Sequence, residues 1–185
     1  MSNFPTPGVY NIDTTHSSLS FIVRHLLVSK VRGGFTEFEG TITVGDTPET
    51  SSVSVTAQAA SFSTNNADRD NHVKSADFLE VEANPTLTFN STSLTAKGGN
   101  EYALVGDLTI KGVTKSVTFD VEFNGQGEHA YAKYFSSVIG FEAKATIDRR
   151  DFNVNVGANE ITDSVVSHKI DLVLEVEATL PAAQA

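Results

Sequence analysis

Side-chain chemistry needs a nucleophile, a titratable pair or a set of metal ligands, and this chain offers few. Its histidines are His16, His25, His72, His129 and His168. No two stand four residues apart and no H-E-x-x-H occurs, so no helix face presents a ready zinc pair. There is no cysteine, which removes thiolate nucleophiles, iron–sulfur clusters and thiolate zinc sites. Serine is common, but there is no G-x-S-x-G elbow, no G-x-G-x-x-G and no P-loop. No metal site and no catalytic residue are therefore assigned. Two features remain. His25 falls in register with Leu19, Phe21 and Val23, so it is expected to point inward. It reads either as a core histidine held in one tautomer by a neighbour or as a polar anchor in an apolar tunnel. Asp68, Arg69 and Asp70, with His72 beyond them, read as a solvated helix end or as a gate at a mouth.

The elements that would position these groups are strands. Val, Ile and Thr supply 48 of 185 residues and Leu only 11. β-Branched side chains suit a pleated surface and lose rotamer freedom in a helix. Eight segments alternate apolar and polar residues: 18–25, 35–44, 52–57, 86–91, 101–110, 114–124, 138–147 and 169–179. Gly33-Gly34 is expected to break the chain before the second, and Lys111-Gly112 to turn it before the sixth. A short polar helix is expected within 65–82. Phe152, Val154 and Val156 read as an extra strand or part of a lid. Residues 1–8 read as a loose leader, 9–180 as one domain and 181–185 as a tail.

Eight even, one-sided strands without parallel βαβ spacing imply an all-β fold, an eight-stranded antiparallel barrel with a short helical segment. Shared parity places Phe21 and Val23, Phe38, Val55, and Phe89 on the inner face. On the later strands it adds Leu104 and Leu108, Phe119 and Val121, Phe141 and Ala143, and Leu172 and Leu174. Small residues on that face, Gly106 and Ala143 among them, would leave room for a slender ligand, although a filled core also alternates large and small.

Charge narrows the partners. Lys and Arg number 13 against 23 Asp and Glu, a net charge of −10. An acidic surface repels phosphate backbones and anionic headgroups, so nucleic-acid binding and polybasic membrane docking are not expected. No apolar run reaches the roughly 18 residues of a membrane span. The opening MSNFPTPGVY has neither a basic start nor an apolar core, so no signal peptide is read. The expected location is cytoplasmic, or periplasmic or secreted if the chain is a trimmed form.

Four separated segments, in order, carry a family resemblance. They are D-T-T-H-S-S-L-S-F-I-V-R-H-L-L-V-S-K-V-R-G-G-F-T-E-F-E-G-T-I from Asp13, D-R-D-N-H-V-K-S-A-D-F-L-E-V-E-A-N-P-T-L-T-F-N-S-T from Asp68, G-D-L-T-I-K-G-V-T-K-S-V-T-F from Gly106 and G-F-E-A-K-A-T-I-D-R-R-D-F from Gly140. Over Tyr10 to Leu180 the sequence resembles the YceI-like family, lipocalin-like barrels also called polyisoprenoid-binding. The resemblance implies a tunnel that holds a long isoprenoid, an isoprenoid quinone or another amphiphilic chain, for storage or transport, with no further cofactor. It places His25 and the 68–72 run at motif positions. Three functions stay open: a lipid or quinone binder, an enzyme acting on an amphiphile with His25 or His72 as acid or base, and a filled barrel with a structural role. A homodimer is also left open.

Overall fold

The computed structural model describes residues 4–155 and 165–182. The strands are β1 (Gly8–Ile12), β2 (Ser18–His25), β3 (Ser29–Phe35), β4 (Phe38–Val44), β5 (Ser52–Gln58), β6 (Phe62–Ser63), β7 (Thr86–Gly98), β8 (Glu101–Ile110), β9 (Val113–Gly127), β10 (Phe135–Asp148) and β11 (Val166–Pro181). Helix α1 (Ala67–Lys74) lies between β6 and β7. All pairings are antiparallel.

The eleven segments make eight staves. β11 is long enough to pair with β2 through Val166–Glu175 and with β1 through Ala178 and Thr179. β1 and β2 are thus two stretches of one stave, interrupted at residues 13–17. β3 and β4 form the next stave, pairing with β2 and β1 respectively. β5 and β6 form the third, pairing with β4 and β3. β7 to β11 follow as a meander, and β11 closes on β1. Closure leaves no sheet edge along the ring from β1 through β4, β5 and β7–β11.

The interruptions have local causes. At residues 13–17 the chain leaves the sheet, and Ser17 exchanges hydrogen bonds with the Glu177 backbone while Asp13 N–H donates to the Glu177 carbonyl. Asp13 accepts from the Thr15 hydroxyl and amide, chiefly the hydroxyl, and from His16, which holds its pKa at about 2. At the end of the third stave, β6 pairs only with β3 among the described residues, while β7 departs from β5 beyond Gln58–Thr86. Helix α1 and the turns after it fill that wedge. Asn66 caps the helix by accepting from Arg69 N–H, Asp68 and Asp70 sit in its first turn, and His72 and Lys74 in its last. The two aspartates complement the N-terminal end of the helix dipole and Lys74 the C-terminal end.

Three expectations need correction. Gly33-Gly34 does not break the chain: both glycines lie inside β3, a strand not expected from alternation. A Cβ on Gly33 would meet the Ser63 carbonyl at 2.6 Å and the Phe21 ring at 2.7 Å, so these glycines let neighbouring strands approach. The 1–8 stretch is not loose where it is described. The Phe4 ring lies tilted 6.0 Å from that of Tyr102, and Thr6 bonds Gln126. Phe152 ends a 3₁₀ turn (Arg149–Phe152) and Val154 is buried outside any strand, so neither belongs to an extra strand. Val156 lies outside the described residues.

Candidate ligand-binding cavity

Inward parity along each stave has a direct consequence. Cross-strand partners carry apolar side chains from stave to stave: Val55 opposite Phe89, Phe89 opposite Leu108, Leu104 opposite Phe119, Val121 opposite Ala143, Ala143 opposite Leu174, and Leu172 opposite Phe21. These walls do not meet in the middle. They enclose a cavity of about 320 Å³ running through the barrel. Phe4, Pro5 and Tyr102 stand at one end; Phe152, Val154, Val166 and Leu79 stand at the other. The volume is at the lower end of the roughly 300–1,000 Å³ of small-molecule sites.

Aromatic contacts stiffen the wall. Phe89 meets Phe119 edge-on at 5.2 Å, Phe21 stacks on Phe62 at 5.3 Å, and Phe123 lies 5.2 Å from Phe141. Burial raises the pKa of Tyr102, which keeps its phenol neutral at the cavity end. Among the described lining residues there is no histidine and no carboxylate. The lining includes one guanidinium, that of Arg149. It donates to the carbonyls of Val154 at 2.7 Å, Val166 at 3.2 Å and Ser167 at 3.2 Å. Those bonds tie the turn after β10 to the start of β11. Arg149 lies in the D-R-R-D run of the last family segment, where residue type alone assigns it no role. Its parity with the inward Ile147 was the available signal.

Twelve of the fourteen residues read as inward line this cavity: Phe21, Val23, Val55, Phe89, Leu104, Leu108, Phe119, Val121, Phe141, Ala143, Leu172 and Leu174. Phe38 and His25 do not. Phe38 shares a face with Ile42 but opens β4, half-buried and outside the core cluster. His25 ends β2, half-buried, where its carbonyl closes the β2–β3 turn. Gly106 does not widen the space either. A Cβ there would meet Phe89 Cε2 at 2.6 Å and the Asn90 carbonyl at 2.7 Å, so the glycine seats the Phe89 ring.

Asp68, Arg69, Asp70 and His72 also lie outside the lining. Asp70 is buried and accepts from the Thr64 amide at 2.9 Å, the Thr64 hydroxyl and the Ser63 hydroxyl. Burial opposes its ionisation, but the bonds from Thr64, Asn66 and Ser63 win and hold its pKa below the usual value. Arg69 donates to the Thr64 hydroxyl and carbonyl. The pair fastens α1 to β6. Asp68 stays exposed. His72 lies 3.1 Å from Asp77 and edge-on to Phe78, on the outer side of the helix. Sequence also missed one cluster: Asp13, His16 and Glu177 bring ligand atoms within 4.8 Å of one another. Its bonds tie the break between β1 and β2, and the hydrogen bond that His16 donates to Asp13 raises the histidine's pKa.

The pattern of the YceI-like domain matches residues 10–178. The chain belongs to the YceI-like family. Protein YceI of Escherichia coli O157:H7 is 38% identical over 171 residues, covering 91% of this chain and 85% of that protein. Among solved structures, BcnA of Burkholderia cenocepacia superposes with a TM-score of 0.81 at 25% identity, over 91% of this chain and 99% of that one. A polyisoprenoid binding domain from Saccharophagus degradans, implicated in plant cell wall breakdown, shares the fold with a TM-score of 0.65 at 14% identity, over 95% of this chain and all (100%) of that one. The antiparallel barrel expected from alternation, and the YceI-like family implied by the resemblance, are thus both found.

Proposed function

We propose that this protein binds a long isoprenoid chain, with or without a quinone head, in its barrel and carries it between apolar compartments. The observation that bears the reading is the cavity: continuous, narrow and apolar, with the twelve inward residues on its wall. The family and the ligand in the name of the Saccharophagus degradans domain support the ligand class. A benzene fills an apolar cavity of about 150 Å³, so about 320 Å³ takes roughly a dozen carbons. At about 0.8 kcal/mol per carbon this gives about 10 kcal/mol from water, within the ceiling for non-covalent binding. A longer chain parts the side chains at an end, at the half-buried Phe4 or Val166, and projects beyond it. Against a bilayer the same apolar term nearly cancels, which makes loading and release both feasible.

Neither histidine offered as acid or base lines the cavity, so the wall favours binding over turnover. Mass spectrometry of an organic extract of the purified native chain tests the reading. A stoichiometric long-chain lipid supports it. An extract free of lipid, together with no uptake of a fluorescent isoprenoid, overturns it, and conversion of the added isoprenoid to a product replaces it with an enzyme.

A further inference from the structure

Among the described residues, three of the four exposed large aliphatic side chains share one tip, the fourth being Val9 on β1. Leu26, Leu27 and Val28 join β2 to β3 and are 51%, 69% and 85% exposed. Val28 N–H donates to the His25 carbonyl at 3.2 Å, closing a tight turn. The two central residues, Leu26 (φ 49°) and Leu27 (φ 61°), are both left-handed. That backbone ordinarily takes Asn-Gly. Leucine at both positions adds strain and exposed apolar surface, and the fold requires neither. Residues that oppose a local rule without a structural return are where function is to be sought.

The tip wears a collar of cations. Arg24 faces Lys30 across the hairpin, Arg32 lies one pair further along on the outer side, and Lys169 stands at the start of β11 beside β2. All four are exposed, and none makes an ion pair among the described residues. The neighbouring Asp171 is engaged by the Thr146 hydroxyl. Residues 14–36 contain no Asp or Glu in a chain that has 23 of them. The tip also stands at the cavity. His25 pairs with Val166, and Val166 and Val23 both line the end of the cavity.

We propose that this hairpin docks the barrel on an anionic bilayer. Leu26, Leu27 and Val28 enter the boundary between headgroups and acyl chains. Arg24, Lys30, Arg32 and Lys169 lie at the level of the lipid phosphates. The inference deepens the carrier reading and rests on it, since it sets one end of the cavity against the compartment that supplies the chain. A bilayer fits better than a second copy of the chain, because a two-fold contact through this tip would set cations against cations.

Co-sedimentation of the full chain with vesicles of phosphatidylcholine, with and without phosphatidylglycerol, tests it. The expected result is binding to the anionic vesicles that weakens as salt rises. Leu26→Asn with Leu27→Gly relaxes the turn, so the melting temperature holds or rises while vesicle binding falls at least tenfold. Arg24→Gln with Lys30→Gln lowers binding to the anionic vesicles by roughly 10- to 100-fold. The proposal is overturned if the wild-type chain ignores anionic vesicles or if these variants bind as it does. It is equally overturned if the tip variants abolish self-association in sedimentation velocity without affecting any vesicle binding. Lipid in the extract with no vesicle binding removes docking alone; docking with an empty cavity supports the docking and removes the carrier reading.

Discussion

Ala143→Phe separates a working cavity from a filled core. Ala143 is buried between Val121 and Leu174, its partners on β9 and β11, and faces the cavity. The substitution adds a phenyl ring, which needs about 150 Å³ of apolar space. The cavity holds about 320 Å³, so the ring takes roughly half of it and displaces about six ligand carbons. At about 0.8 kcal/mol each, the loss is about 5 kcal/mol, more than a thousandfold in affinity measured from water. Stability answers differently. A ring forced into a full core costs about 1–3 kcal/mol, which lowers the melting temperature of a chain this size by about 2–4 °C per kcal/mol. A ring entering empty space costs little and gains contacts. The assay pairs thermal unfolding with retention of a fluorescent isoprenoid. Unchanged or raised melting temperature with retention lost is the expected pair. A melting temperature lower by about 5 °C or more, with retention intact, would show that the ring found no space and the ligand never used it.

Gly106→Ala should cost about 1–3 kcal/mol and weaken isoprenoid retention, because a methyl there drives the Phe89 ring toward the cavity and meets the immovable Asn90 carbonyl at 2.7 Å; retention equal to wild type would refute the seating role. Asp70→Asn should destabilise by about 1–3 kcal/mol, read by urea unfolding, since Thr64 loses a charged acceptor in a buried place. In acid, Asp13 and Asp148 have pKa values of about 2, well below the ordinary 3.8, the first held mainly by the Thr15 hydroxyl and the second by Arg150. Their contribution is complete above the unfolded value and is lost as pH falls from about 4 towards 2. Asp148→Asn should therefore flatten that limb of the stability–pH curve, by at most about 1 kcal/mol for so exposed a pair.

Alternation made most of the barrel legible because one face of each stave is buried and the other is wet. Phe119, Val121 and Phe123 against Thr118, Asp120 and Glu122 leave a single register open. Alternation gives no signal where burial does not alternate. β1 and β6 are too short to show a period, and β3 has exposed Ser29 and Lys30 before two glycines that serve close approach. Eight alternating segments therefore matched eight staves only in part, with 35–44 straddling a break between β3 and β4. On the wall, parity pointed to twelve residues that line the cavity and carried His25 and Phe38 along with them. Both sit at strand ends, where the inward direction no longer points at the cavity. The role of Asp70 could not be read: Ser63 and Thr64 stand only seven and six residues before it, but nothing in the residue types shows that the turn into α1 folds them back onto its carboxylate.

Net charge is a sum, whereas an approaching surface meets its distribution. At −10 the chain as a whole is repelled by anionic headgroups. The repulsion is short-ranged, because charges more than about 8 Å apart are largely screened at physiological salt. A bilayer therefore feels only the part of the barrel that reaches it first. Presented by any acidic face, the protein is turned away; presented by the hairpin of Leu26, Leu27 and Val28, it offers cations and aliphatic side chains together. The acidic body then acts as an orienting device. In the approach proposed above, the end of the cavity lined by Val23 and Val166 stands next to the membrane. The charge balance that argues against membrane contact for the average surface is what makes contact through this one tip specific.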